Sequence, residues 1–347
     1  MPSCHTAVRH ICNLLVGKVV IPYFQIRQNA QDAGLAGLVL LTAILLLPTL
    51  LPGKMGWLTS LVPLPVFYYL VVLGQRRGMI LTRNALLLSG GAALLFGSMP
   101  VLIFTFSMVP IGIAFSQALN NRKTPVKAGL LGALFLCLTW TIFWSVLGIT
   151  HQMNPYASLL TELDAGLTGS LMFYEESAEL APETLQSVRS AVEVLRTYIP
   201  KILPGLLVSG ILTITWLNLS LGNLLLQRKD KGLSPWPAYN AWKLPEPMVW
   251  LVILGGITVF LLPAPFSTMG LNVLIICTTI YFFQGLAIIA SLLERWSVPR
   301  LIRVLIYALI FIQTYGIIVL SFLGLADVWA DFRKLNNTGE NQETAGP

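Results

Sequence analysis

Long apolar runs alternate with short polar connections along this 347-residue chain. Nine runs fall near residues 33–52, 57–74, 80–97, 101–120, 128–149, 201–227, 248–264, 271–292 and 302–325. At 1.5 Å of rise per residue, about 20 apolar residues cross the hydrocarbon core of a bilayer, so each run predicts a membrane-spanning helix. The runs are continuous and lack the in/out alternation of a β-barrel strand. The predicted fold is all-α, a polytopic transmembrane helix bundle of about nine crossings.

One sizeable hydrophilic region, 151–200, separates runs five and six. In it Pro182 precedes Leu185, Val188, Val192, Leu195 and Ile199, an apolar stripe at helical spacing, and Glu183 suits a helix start. Met153 to Tyr174 carries a weaker pattern. The region predicts two short amphipathic helices outside the bilayer, as a packing cap or as a lid. Residues 1–30 predict a cytoplasmic or interfacial segment, with the short apolar stretch Ile11–Phe24 as its amphipathic helix. They have no clear cleavage site for a removed signal peptide. The organisation expected is 1–30, a six-helix unit over 31–228 that includes loop 151–200, three further helices over 229–325, and a mostly disordered tail over 326–347.

Charge changes the picture by its placement. Sixteen of the 22 Lys and Arg residues lie in alternate connections, among them Arg76, Arg77, Arg122, Lys123, Arg228, Lys229, Arg295 and Arg300. Retention of basic residues on the cytoplasmic side predicts a multi-pass protein of the bacterial inner membrane, N-terminus inside and C-terminus outside. The net charge of +7 is thus a topology signal, and no nucleic-acid partner is implied. Cys4, His5, His10 and Cys12 match no zinc-site spacing, and no cofactor or metal is expected.

No Walker loop, His-Glu-x-x-His or nucleophile elbow occurs, and no ionisable side chain is expected near the middle of a crossing. That removes the usual acid, base and nucleophile of an enzyme, and none is predicted. Candidate binding groups are uncharged. Pro63 and Pro65 should kink or break the second run, freeing carbonyls beside a ligand or at an ordinary bend, and Pro110 should kink the fourth. Asn218, Asn223, Gln284 and Gln313 fall within crossings six, eight and nine, where amides should turn inward, as interhelical ties or as the lining of a ligand pocket. Small-residue pairs, Ala33 with Gly37, Gly129 with Ala133 and Gly205 with Ser209, suit close helix packing. After the last run, Asp327, Asp331 and Arg333 read as an outer surface anchor, with Arg333 paired to an acid or to lipid phosphate.

Several landmarks in order resemble the YybS-type family of bacterial polytopic membrane proteins of unknown function. They are Leu61-Val62-Pro63-Leu64-Pro65, the Arg-rich turn, the amphipathic loop, Asn218, Trp242-Lys243-Leu244-Pro245-Glu246, Gly324-Leu325-Ala326-Asp327 and Asp331-Phe332-Arg333. The first six crossings are more distantly similar to the membrane substrate-binding subunits of energy-coupling-factor transporters. In that group small residues on the first helix dock the energising partner, a role the resemblance passes to Ala33 and Gly37. The function expected is a substrate-binding or transport component for a small neutral or zwitterionic solute. The alternative is a scaffolding membrane protein of envelope assembly. The partners expected are the bilayer and another membrane protein or an energising subunit.

Overall fold

The computed structural model describes residues 21–96, 99–176 and 181–333. The Cys/His cluster near the N-terminus, the stretch before residue 21, the tail beyond Arg333 and the side chain of Ala33 lie outside them. Among the described residues all regular structure is helical. In chain order the helices are α1 Ile21–Leu50, α2 Pro63–Val72, α3 Gln75–Phe96, α4 Met99–Phe106, α5 Val109–Asn120, α6 Pro125–His151, α7 Pro155–Glu176, α8 Pro182–Lys229, α9 Val249–Leu261, α10 Phe266–Arg295, α11 Arg300–Ile312 and α12 Thr314–Ala330.

Every apolar run has a helical counterpart. Five segments are long and apolar enough to cross a membrane alone: Gln75–Leu95, Met99–Asn120, Pro125–His151, Pro182–Lys229 and Phe266–Arg295. Two more are bent pairs, Pro52–Leu61 with Pro63–Val72 at 41° and Arg300–Ile310 with Tyr315–Ala330 at 105°. Gly34–Leu50 and Glu246–Leu261 are shorter apolar helices. Proline accounts for the first bend: Pro63 and Pro65 occupy the opening turn of α2, where a missing N–H costs nothing, and a 3-10 helix, Gly56–Leu61, leads into it. Pro110 likewise lies in the first turn of α5, after a turn at Ser107 and Met108 that divides the fourth run into α4 and α5.

Two compact units share the chain: one runs to Leu136 and includes Leu225–Ser234, the other holds Cys137–Leu224 and continues from Pro235. In the first unit, Phe67 on α2 and Phe115 on α5 meet edge to face at 5.7 Å, both fully buried. Gly112 lets α5 approach α2 closely, since a Cβ there would lie 2.7 Å from the Pro63 carbonyl oxygen.

The stretch expected to form a separate outer helix and a sixth crossing is the single helix α8, 48 residues long, in the second unit as far as Leu224. At 1.5 Å per residue it runs about 72 Å, more than twice a hydrocarbon core of about 30 Å. Its first turns pair with α7 outside the apolar zone. The Arg196 guanidinium meets Asp164 at 2.8 Å, Glu193 at 2.9 Å and the Thr168 hydroxyl at 2.7 Å, and Arg189 meets Glu175 at 2.8 Å. These bonds to Glu193 and Asp164 raise the Arg196 pKa further. Val192 is buried, whereas Leu195 in the expected stripe is exposed.

α10 and α12 pack closely through glycine. A Cβ on Gly324 would lie 2.1 Å from the Tyr281 carbonyl oxygen, and one on Gly285 would lie 2.1 Å from that of Leu320. Leu320 and Leu323 pack with Phe282, Phe283 and Leu286, while Leu325 and Val328 pack with Cys277 and Tyr281, so the two helices run antiparallel.

Backbone cannot yield to a new side chain without separating the helices. Gly324→Val should therefore destabilise the protein by about 1–3 kcal/mol, read as a lower thermal midpoint in detergent. Gly256→Ala, which meets nothing within 4 Å, should leave that midpoint unchanged or slightly raised.

Candidate functional site

The seventh apolar run is preceded by a proline-rich stretch, Ser234-Pro235-Trp236-Pro237, then Pro245-Glu246-Pro247. Prolines keep it from forming an α-helix, and one 3-10 turn, Tyr239–Ala241, lies between extended Ala238 and Trp242. Helix α9 begins only at Val249 and has 13 residues, about 20 Å, too short to span a bilayer alone. The extended stretch lies along the C-terminal half of α10. The Tyr239 hydroxyl donates to the Phe283 carbonyl, the Asn240 side chain donates to Glu294, and Leu244 N–H donates to Gln284 Oε1 at 3.1 Å.

The carbonyls of an extended segment among apolar helices need donors from elsewhere, and Arg333 supplies them. Its Nη1 donates to Asn240 O at 3.1 Å and to Trp242 O at 2.6 Å, and its Nη2 meets Asp327 Oδ2 at 2.8 Å. Gln284 Nε2 donates to the same Asp327 oxygen at 3.1 Å, and Phe332 N–H donates to Oδ1 at 3.0 Å. The side chains of Arg333 and Asp327 are 1% and 0% exposed. The turn that brings Arg333 back is made at Asp331, whose left-handed φ of 38° closes the end of α12. A guanidinium beside a helix C-terminus also offsets its negative dipole end.

This arrangement corrects one expectation: Asp327 and Arg333 are not a surface anchor but a pair buried in protein at the end of α12. Gln284 is eleven residues short of the end of α10, about 16 Å along the helix. The pattern hid this because the acid follows the last apolar run and its partner lies beyond the helix end. Segments assigned to opposite faces by the charge rule therefore meet: the turn after α12 lies against the connection before α9.

Beside the pair is an aromatic group. Trp216 of α8 stacks on Phe283 with centroids 4.3 Å apart and meets Tyr239 edge to face at 5.4 Å, and Tyr239 stacks on Trp242 at 6.4 Å. The hydroxyl of Tyr281 and the Nε of Arg333 are buried donors without an acceptor among the described residues.

The sequence-derived candidates divide. Gln284 is central to the cluster. Asn218 is fully buried and donates to Ile214 O of its own helix at 2.7 Å, and Asn223 donates to Pro237 O at 3.0 Å, tying α8 to the extended stretch. Gln313 is not an interior amide: it is exposed, at the break between α11 and α12. The break turns a nominal ninth crossing into two helices, which leaves Gln313 at their junction. Pro63 and Pro65 belong to the first unit, so the cluster in the second is built without them. Gly37 also belongs to the first unit and faces inward; a Cβ there would lie 2.7 Å from the Tyr69 ring.

Sequence reasoning missed Asn272. Pro200 and Pro204 interrupt the hydrogen-bond ladder of α8. Asn272 Oδ1 accepts from Gly205 N–H at 2.5 Å and its Nδ2 donates to Lys201 O at 2.8 Å, the two groups that an unbroken helix would join to each other. The Tyr156 hydroxyl donates to the Pro200 carbonyl at 2.9 Å, which Pro204 cannot reach with a hydrogen bond. Two prolines four apart in an apolar helix were the available signal.

Removing one partner from such a network leaves buried groups unpaired. Asn272→Leu should cost about 1–3 kcal/mol, and Gln284→Leu, which strands the Leu244 N–H and weakens the Asp327 site, should cost at least as much. Thermal midpoints in detergent check both.

No curated protein and no solved structure matches the chain. The model of a family described as predicted membrane protein, DUF2232, matches residues 39–328, from α1 to Val328 beside the buried pair. A membrane bundle of apolar helices is what that description anticipates, and the chain belongs to the DUF2232 family of predicted membrane proteins.

Proposed function

We propose that this membrane protein is a substrate-binding or transport component for a small neutral or zwitterionic solute. The observation that carries the reading is the buried polar cluster in which Asp327, Arg333 and Gln284 hold the connection that precedes the short helix α9. Buried ionisable pairs are costly in a bilayer and mark solute and ion pathways in membrane proteins. The unpaired donors of Arg333 and Tyr281 suit a solute with carbonyl or carboxylate oxygens, and the Trp216, Phe283, Tyr239 and Trp242 rings provide apolar enclosure nearby. A solute of no net charge would leave the balance of the Asp327–Arg333 pair undisturbed.

The distant resemblance to energy-coupling-factor binding subunits supports this reading. An energising subunit docking on α1 would use the exposed Leu35, Val39 and Leu40, since Gly37 is packed internally. The orientation we propose keeps the basic connections and the N-terminus in the cytosol of a bacterium, and the bonds of Arg333 to Asn240 and Trp242 then bring the end of α12 to the connection before α9. A scaffold is the second reading, favoured by exposed Met172, Phe173 and Tyr174 at the end of α7.

Thermal stabilisation of the reconstituted protein against a panel of small neutral and zwitterionic metabolites separates the two. The binding reading expects a saturable rise in midpoint with at least one compound, lost in Gln284→Ala. A flat response throughout, together with specific crosslinking of a partner from Phe173, would transfer support to the scaffold.

A further inference from the structure

We propose that the turn at 331–333 is a latch on the extended stretch 238–245, which opens when Arg333 releases Asp327 and the two carbonyls. The inference stands apart from the identity of any solute. Three observations meet at it. The left-handed turn at Asp331 reverses the chain so that Phe332 N–H and the Arg333 side chain both return to Asp327. Arg333 is the donor to Asn240 O and Trp242 O, two carbonyls that the stretch's own 3-10 turn, which uses those of Ala238 and Tyr239, leaves open. Leu244, at the end of that stretch, covers Cys277 and Tyr281 together with Trp242, Leu325 and Val328.

The energetics favour a two-state element. Closed, the pair and its hydrogen bonds offset the cost of burying two charges and two carbonyls. Partly open, any one of those groups is left buried without a partner, so intermediate positions are disfavoured and the turn and the stretch should move together. α9 and the stretch before it are joined only by the 3-10 turn Glu246–Met248, which can absorb the change.

Cys277 is a native reporter, 3% exposed beneath Leu244. The full-length protein, with Cys4, Cys12 and Cys137 changed to Ser, is reconstituted in nanodiscs and treated with a small maleimide. Labelling of Cys277 is followed in wild type, Arg333→Gln, Asp327→Asn and Asp327→Asn/Arg333→Gln. Arg333→Gln strands a buried carboxylate and should speed labelling about tenfold or more. Asp327→Asn keeps the guanidinium on its carbonyls and should have a smaller effect. The double variant, with no unpaired charge, should label more slowly than Arg333→Gln. A parallel protein with Cys277→Ser and Ala118→Cys reports loosening at a fully buried site of the first unit and should be unaffected. If Arg333→Gln does not fold, the other two variants against wild type decide. Equal labelling in all variants, or equal acceleration at residues 118 and 277, overturns the latch.

Discussion

Lipid offers no hydrogen bonds, so every polar group among apolar helices must find its partner within the protein. That constraint organises the second unit. Prolines at 235, 237, 245 and 247 keep the connection before α9 from becoming an α-helix, and its Asn240 and Trp242 carbonyls are taken up from far along the chain. Arg333 answers them from nearly a hundred residues away. The positive charge then requires Asp327, the carboxylate requires further donors, and Gln284 and the Phe332 N–H supply them. Removing any one member strands another, which is why the cluster behaves as a unit and not as a set of separate bonds.

The same logic repeats on a smaller scale at α8. Pro200 and Pro204 leave N–H and C=O groups unjoined within a long helix, and Asn272 and Tyr156 reach in from α10 and α7 to take them up. In both places a backbone defect written by proline is repaired by a polar side chain from another helix. Close packing makes the repair possible: Gly205 lets Asn272 approach α8, and Gly285 and Gly324 bring α12 against α10 near Gln284. Small residues act here as internal contacts, as Gly37 does against Tyr69 in the first unit.

For function, the consequence is that the cluster is costly unless it is used. A membrane bundle needs no buried Asp–Arg pair to be stable, since well-packed apolar side chains of similar volume often do as well. Under the proposed reading the cluster is kept for use: hydrogen bonds that can be released would give the chain two positions and a solute a polar environment. The aromatic group around Trp216 gives that environment an apolar wall.

By itself the sequence determined that the solvent is lipid, that the fold is helical, and where the apolar segments lie, because those properties follow from local composition and from a bilayer thickness that nearly all helices must match. It marked Gln284 as an inward amide for the same reason. Only the tertiary structure decided which apolar runs are single helices and which are divided, that α8 runs unbroken through Pro200 and Pro204, and that Gln313 lies exposed at a bend. It alone joined Asp327 to Arg333 and both to the stretch before α9. Those outcomes depend on partners distant in the chain, and no local pattern records which donor will come to meet a stranded carbonyl.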